Sequence, residues 1–337
     1  MAVDARAAVR RVAGKALRAT PPSVQRALRR SASRLLTAVP AAPGTMDGAL
    51  WQSPPLPLPE GLSAADVEEV FRSWSVNGQP VGHLDGYVDD SIWRFLYTWG
   101  LVRDLSGSCL ELGANPYFTT HLLDEHTSLD LTLANYYGER GEATETVSYL
   151  PTGSTERVEK ARCSTLFNVE EDTFPYDDDH FDVVLFCEMI EHMLMDPLHT
   201  LREIRRVLKP GGVLVLTTPN VARLNNVMAV LNGANLYDPY SGFGPYGRHN
   251  REYTRDELHR VLAFTGYDVD ELLTADGHPT TAAHWPHHAE VAPLLQERRP
   301  DLGHYLFVRA RATGVPRDGL PSFLFRSWPT DVLVDDA

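Results

Sequence analysis

Cysteine and long hydrophobic runs are both scarce in this sequence. Its 337 residues contain three cysteines, which lie in strand-like or apolar stretches and form no spaced framework: Cys109, Cys163 and Cys187. This pattern predicts buried thiols in a reducing cytoplasm and argues against a secreted, disulfide-stapled fold. No run of about eighteen apolar residues occurs, so the sequence predicts no transmembrane helix.

Positive charge is also scarce, except at the N-terminus. Residues 1–50 hold nine Lys and Arg against two Asp, a net charge of +7. Because the net charge of the full chain is −14, the remaining residues carry −21. A body this acidic repels the phosphate backbone and disfavours a nucleic-acid partner. The basic arm is either a contact surface for a protein or for anionic lipid at the inner face of the membrane, or a solvated tail.

Composition divides the chain into three regions. Residues 1–60 combine two Arg- and Ala-rich helical segments with a proline-rich linker that should run extended. Residues 61–315 carry regular hydrophobic patterns and are predicted to form the globular body. Residues 316–337 form a C-terminal tail that contains several aromatic residues.

The body alternates between strand and helix patterns. Strand-like runs such as LDLTLAN (129–135), FDVVLF and VLVLTTPN are separated by helical segments of ten to fifteen residues. This alternation predicts an α/β fold with a doubly wound, mostly parallel sheet. Thr254 and Glu257 form a capping-box pattern that should open a late helix, which Gly266 should end.

Four motifs, taken in order, resemble class I S-adenosylmethionine-dependent methyltransferases. They are CLELGANPY, NVEEDTFPYDDDHFDVVLFCEMIEH, LREIRRVLKPGGVLVLTTPN and GRHNREYTRDEL, and the resemblance covers roughly residues 85–313. It implies a seven-stranded, Rossmann-like sheet whose last strand is antiparallel and inserted by a hairpin. The strands near 267–274 and 304–312 match that pair.

The resemblance also implies cofactor-binding residues. Glu111 and Gly113 match the first-strand acid and glycine beside the methionine moiety, and Glu170 matches an acidic position near the adenine amine. Asn135 stands where the family usually has the acid that holds the ribose hydroxyls, and an amide can also donate and accept there. Cys187 would border the sulfonium. The usual glycines after Gly113 are replaced by Asn115, Pro116 and Tyr117.

The segment CEMIEH, at the end of a predicted strand, concentrates three potential metal ligands. If a helical turn begins at Glu188, then Glu188, Glu191 and His192 project from one face. Methyltransferases that modify the terminal ribose 2′-hydroxyl of small RNAs carry a similar Glu-x-x-Glu-His and a later His, which corresponds to His249. The resemblance implies a site for Mg²⁺ or Mn²⁺. Without metal, His192 and His249 would be candidate general bases.

Residues 221–251 form an insertion expected to cap the acceptor with the aromatic residues Tyr237, Tyr240, Phe243 and Tyr246. The sequence SGFGPYGRHNREYT, at its C-terminal end, resembles bacterial sugar and polysaccharide methyltransferases. The leading expectation is metal-assisted O-methylation of a saccharide or glycosylated metabolite. Two alternatives stay open: methylation of an RNA 3′-terminal ribose, and a catalytically silent scaffold.

Overall fold

The computed structural model describes residues 58–335, so the predicted basic arm and most of the linker lie outside the described residues. The α-helices are α1 (Ala64–Arg72), α2 (Asp85–Val102), α3 (Phe118–His126), α4 (Pro197–Val207), α5 (Leu224–Leu231), α6 (Arg255–Phe264) and α7 (His288–Val291). The strands are β1 (Ser75–Val76), β2 (Ser106–Leu112), β3 (Ser128–Asn135), β4 (Gly141–Tyr149), β5 (Val158–Leu166), β6 (Phe181–Cys187), β7 (Leu208–Pro219), β8 (Asp268–Ala275), β9 (Tyr305–Arg311), β10 (Leu320–Pro321) and β11 (Leu333–Val334). No helix in this range is long and apolar enough to cross a bilayer.

One sheet organises the body, in the order β1-β4-β5-β3-β2-β6-β7-β9-β8. The five central strands, from β5 to β7, run parallel, which confirms the α/β prediction. Strand β9 lies antiparallel between β7 and β8, as the resemblance implied.

The expected number of strands, seven, is wrong, because nine strands of the described chain join this sheet. Strand β4 pairs antiparallel with β5 over nine residues, from Gly141 opposite Leu166 to Tyr149 opposite Val158. Strand β1 adds two residues at the edge. Within this nine-stranded sheet, parallel pairing is therefore confined to the five central strands. The segment GEATETVSY is mostly polar and partly exposed, so β4 lacks the apolar pattern that would have predicted it.

Helices cover both faces of the sheet. Side chains alternate along each central strand, so one strand contributes residues to the core on each face. In β6, Val183 and Leu185 pack in one core with α1, α2 and α3. Val184 and Phe186 pack in the opposite core with α4 and α6. Near-continuous apolar runs such as FDVVLF follow from burial on both faces.

The capping box of α6 is confirmed. The Thr254 hydroxyl accepts from the Glu257 amide at 3.2 Å, and the Glu257 carboxylate accepts from the Thr254 amide at 3.3 Å. The helix ends at Phe264, just before Gly266, whose φ is +85°. The C-terminal segment returns to this region, where the Arg317 amide donates to the Phe264 carbonyl at 2.9 Å and Phe323 packs on the core.

The buried His121 makes stability pH-dependent. Its ring is 7% exposed and packs edge-on against Trp74 and Tyr149, and its Nδ1 has no hydrogen-bond partner in residues 58–335. Burial lowers its pKa from 6.5 to about 4. Between these values the unfolded chain binds the proton and the folded chain does not, so stability falls as the pH drops from 6.5 towards 4.

The free energy of unfolding should fall less between pH 7 and pH 4.5 in His121→Phe than in wild type, by roughly 2 kcal/mol. Urea denaturation at both pH values measures this difference. The exposed His259 provides the control variant, His259→Phe, which should retain the wild-type loss. An unchanged loss in His121→Phe would contradict the assignment.

Candidate functional site

A cavity of about 400 Å³ lies at the carboxyl ends of β2, β3 and β6. It is bordered by the loops that follow these strands and by α2. Strand β2 is flanked on one side by β3 and on the other by β6, so the chain changes direction across the sheet at this point. In open parallel sheets, ligands bind in the crevice formed at such a switch point.

Three expected cofactor residues line the cavity at its β2–β6 side. Glu111 is buried and accepts from the Thr120 hydroxyl at 2.6 Å, and burial raises its pKa to about 7. Gly113 has φ +69°, and a Cβ there would lie 2.7 Å from Met189 Sδ, so the turn requires glycine. Burial raises the pKa of Cys187 to about 12, which keeps it a neutral thiol.

Asn135, at the end of β3, also lines the cavity and is tied to the loop after β2. Its Oδ1 accepts from the Asn115 amide at 3.0 Å, and its Nδ2 donates to the Tyr117 hydroxyl at 3.2 Å. The unusual residues of the GANPY motif are therefore structural partners of the unusual Asn135.

Glu170 does not line this cavity. Its carboxylate accepts from the backbone amides of Met195 and Asp196, at the start of α4. Both amides donate to Oε1, which caps the turn that leads into the helix, and Oε2 has no hydrogen-bond partner within residues 58–335. Of the five expected cofactor residues, Glu170 is the one that is absent from the lining of this cavity.

Arg94 is a cavity residue that the sequence reasoning missed. Its side chain is 5% exposed, donates to the Tyr87 hydroxyl at 2.7 Å and lies over the Phe95 ring. Its Nε lies 3.9 Å from Glu188 Oε2 and has no hydrogen-bond partner within the described chain. Among the described residues, no other Lys or Arg lines this cavity. A lone arginine inside the apolar helical run SIWRFLY was the available signal.

The expected helical turn at Glu188 is wrong. Strand β6 ends at Cys187, Glu188 has φ +54°, and a short 3₁₀ turn spans Ile190–His192. This backbone directs Glu188 into the cavity, where its Oε1 accepts from the Thr217 hydroxyl at 2.8 Å. Glu188 therefore does not share a face with Glu191.

The other three expected metal ligands do come together. Potential ligand atoms of Glu191, His192 and His249 all lie within 4.8 Å of one another. Glu191 is fully buried; its Oε2 accepts from the Thr218 hydroxyl at 2.9 Å, and its Oε1 has no hydrogen-bond partner in the described range. We call these three residues the triad.

Neighbouring groups orient both imidazoles of the triad. His192 Nδ1 lies 2.9 Å from the Arg248 carbonyl, and His249 Nδ1 lies 2.9 Å from Glu252 Oε1. Because these oxygens accept, each Nδ1 donates and each Nε2 has a lone pair when the ring is neutral. Partners of this kind commonly fix metal-binding histidines.

The electrostatics of the triad reflect its burial. Burial and then the nearby Glu188 raise the pKa of Glu191 to about 8. Burial, with a contribution from His249, lowers the pKa of His192. Burial also lowers the pKa of His249, but the hydrogen bond to Glu252 and the charge of Glu191 outweigh it, so the net shift is upward.

The insertion behaves differently from the predicted cap. Tyr240 and Phe243 are 92% and 93% exposed, and only Tyr246 of the four aromatic residues lines the cavity. Tyr237 instead borders a second cavity, of about 550 Å³, together with His249 and Glu252. The aromatic residues thus do not form a single lid.

The central parallel strands, the antiparallel β9 and the cavity at the switch point define a class I methyltransferase fold. Residues 83–272 match the family described as a methyltransferase domain, and the chain belongs to this family.

Individual relatives are similar over a limited part of the chain. It is 35% identical over 92 residues to a ubiquinone biosynthesis O-methyltransferase of Roseobacter denitrificans, covering 27% of this chain and 35% of that protein. It is 32% identical over 99 residues to a probable S-adenosylmethionine-dependent methyltransferase of Mycolicibacterium smegmatis, covering 29% and 33%. The chain thus spans about a third of the length of these relatives. A putative methyltransferase in a complex with the Haloferax volcanii Trm112 activator aligns with a TM-score of 0.41 at 16% identity, covering 69% of this chain and 92% of that one.

Proposed function

We propose that this protein is an S-adenosylmethionine-dependent O-methyltransferase that modifies a hydroxyl of a saccharide or glycosylated metabolite with the help of a divalent cation. The observation that carries the proposal is the triad. The segments that border the cavity, residues 187–189 and Tyr246, continue within three residues into Glu191 and His249. A cofactor cavity and a cation site would thus adjoin each other.

The groups of the 400 Å³ cavity fit S-adenosylmethionine. Arg94 supplies a buried positive charge with an unpartnered Nε for the methionine carboxylate. Glu111 supplies a carboxylate for the ammonium group, and the Asn135 amide faces the cavity as a partner for ribose hydroxyls. Glu170 is left out of this set because it does not line the cavity.

The donors of the triad fit a divalent cation. Two imidazole Nε2 atoms and one buried, unpartnered carboxylate oxygen form a mixed nitrogen and oxygen set. This set suits Mn²⁺ better than Mg²⁺, which prefers oxygen ligands. A cation bound here would lower the pKa of an acceptor hydroxyl and fix its orientation.

The chain's own residues would prepare the transfer. Methyl transfer from a sulfonium needs the acceptor oxygen in line with the breaking bond, so binding must align cofactor and acceptor. Arg94 and Gly113 would hold the methionine end at β2, and Cys187, as a neutral thiol, would lie beside it without competing as a nucleophile. If no cation is bound, the Nε2 of His192 is the base candidate, because the lowered pKa of His192 keeps that nitrogen unprotonated.

The second cavity supports a saccharide acceptor. It holds His249 of the triad, and its other polar groups include Asn235, Asp238 and Glu252, beside the ring of Tyr237. Carboxylates and amides suit sugar hydroxyls, and aromatic faces suit the apolar sides of sugar rings. The acidic body gives an RNA acceptor no such support.

The test is a methyl-transfer assay with S-adenosylmethionine, after treatment with a chelator and with or without added Mn²⁺. The acceptor panel contains nucleotide sugars, oligosaccharides, catechols and RNA oligonucleotides with a free 3′-terminal ribose. We expect Mn²⁺-dependent methylation of a sugar hydroxyl. Full activity without metal would contradict cation assistance, and cofactor binding without turnover on any acceptor would favour the scaffold.

A further inference from the structure

The additional strand β4 brings a carboxylate to the cofactor cavity. From the structure we infer that Glu145 is a positioning residue that orients Asn135 towards the ribose hydroxyls of the cofactor, in place of the direct acid that the family usually has after its second strand. The inference rests on the proposed function. Glu145 is half-buried and pairs across the hairpin with Arg162 on β5.

Four side chains converge on the Glu145 carboxylate. Tyr117 and Tyr137 donate their hydroxyls to Oε2 at 2.6 Å each. The Asn115 side-chain amide donates to Oε2 at 3.1 Å, and the Asn77 amide donates to Oε1 at 2.9 Å. Two of these donors, Asn115 and Tyr137, also line the cavity. The carboxylate therefore holds one wall of the cavity together.

These hydrogen bonds determine which way the Asn135 amide faces. An ionised carboxylate only accepts hydrogen bonds, so the Tyr117 hydroxyl must donate its hydrogen bond to Glu145 and can only accept one from Asn135. The Asn135 Nδ2 is thereby assigned to Tyr117, at 3.2 Å. Its Oδ1 is left to accept from the Asn115 amide at 3.0 Å. Both hydrogen bonds of the Asn135 side chain thus assign the same orientation to its amide. The Asn115 side chain in turn donates to Glu145, so the contacts form a closed ring.

The oriented amide keeps part of its hydrogen-bonding capacity. Asn135 has one further N–H and one further lone pair beyond these contacts. A ribose diol offers both a donor and an acceptor, so it complements an amide held in one orientation. If Glu145 is removed, Tyr117 loses its acceptor, and the amide loses one of the two contacts that orient it; the hydrogen bond from the Asn115 backbone amide remains.

Ligands that differ only in the ribose hydroxyls test this inference. Isothermal titration measures S-adenosylhomocysteine and its 2′,3′-dideoxy analogue against wild type, Glu145→Ala and Glu145→Gln. We expect Glu145→Ala to weaken S-adenosylhomocysteine about 10-fold and the dideoxy analogue less than about 2-fold. Glu145→Gln should lose less than Glu145→Ala, because its carbonyl still accepts from Tyr117.

Two further variants separate orientation from damage to the loop. Tyr117→Phe keeps the buried ring but removes the link between Glu145 and Asn135, so it should reproduce the selective loss. Glu142→Ala lies on the same strand, is exposed, and should bind both ligands as wild type does. Equal weakening of both ligands by Glu145→Ala, or no weakening, would overturn the inference. Failure of wild type to bind either ligand would instead overturn the proposed function on which it rests.

Discussion

Replacing Glu191 by glutamine is expected to abolish Mn²⁺ binding and to lower kcat for methyl transfer by about 100- to 10,000-fold. Glutamine preserves the size of the side chain, and its carbonyl still accepts from Thr218. It removes the carboxylate whose ligand oxygen lies within 4.8 Å of ligand nitrogens of both imidazoles. The affinity for S-adenosylhomocysteine should stay within about 2-fold, because Glu191 does not line the cofactor cavity.

Titration with Mn²⁺, followed by electron paramagnetic resonance of the free ion, measures the first effect. The matched control is Glu188→Gln, three residues earlier, which removes a carboxylate that faces Arg94 and Thr217. This control should retain Mn²⁺ binding. Equal loss in both variants would restore the four-ligand set expected from the sequence. Unchanged binding in Glu191→Gln would refute the triad as a metal site.

Replacing Arg94 by methionine is expected to weaken S-adenosylhomocysteine about 100-fold. Methionine fills most of the space beside Phe95 but removes the buried positive charge in the cavity wall. Glu188, whose Oε2 lies 3.9 Å from the arginine Nε, would then line the cavity beside the ligand carboxylate without a compensating cation. Arg94→Lys keeps the charge and should recover part of the affinity.

The ligand 5′-methylthioadenosine provides a control, because it lacks the amino acid end of the cofactor. Its affinity should be similar for wild type and Arg94→Met. Arg309→Gln provides the control variant, which should bind both ligands as wild type does. Arg309 donates to Asp104 and to the Leu101 carbonyl at the end of α2, outside the cavity. If both ligands weaken equally in Arg94→Met, the arginine shapes the cavity as a whole and does not recognise the carboxylate.

Local features of the sequence were sufficient to predict the main architecture. Apolar runs such as FDVVLF predicted buried strands, because a continuous apolar run indicates burial on both faces of a sheet whichever strands lie beside it. The capping box at Thr254 and Glu257 is a contact between neighbours in the chain. The order of motifs then identified the strand ends where Glu111, Gly113, Asn135 and Cys187 line one cavity.

The directions of side chains were less predictable. A positive φ at Glu188 turns its carboxylate into the cofactor cavity, whereas a helical turn would have placed it with Glu191. Two backbone amides hold Glu170 at the start of α4. In both cases the residue type suited the predicted role, but the local backbone direction of Glu188 and the hydrogen bonds of Glu170 set where each carboxylate lies.

The sequence by itself determined the α/β sheet, the methyltransferase family and the strand ends that border the cavity, because hydrophobic period and strand-end motifs are encoded over a few residues. Only the tertiary structure decided which acids share a site. Glu145 reaches Tyr117 through an added strand, Arg94 enters the cavity from a helix, and His249 joins Glu191 across 58 residues of chain. Such meetings depend on strand order and backbone direction, which bring residues together regardless of their separation in sequence.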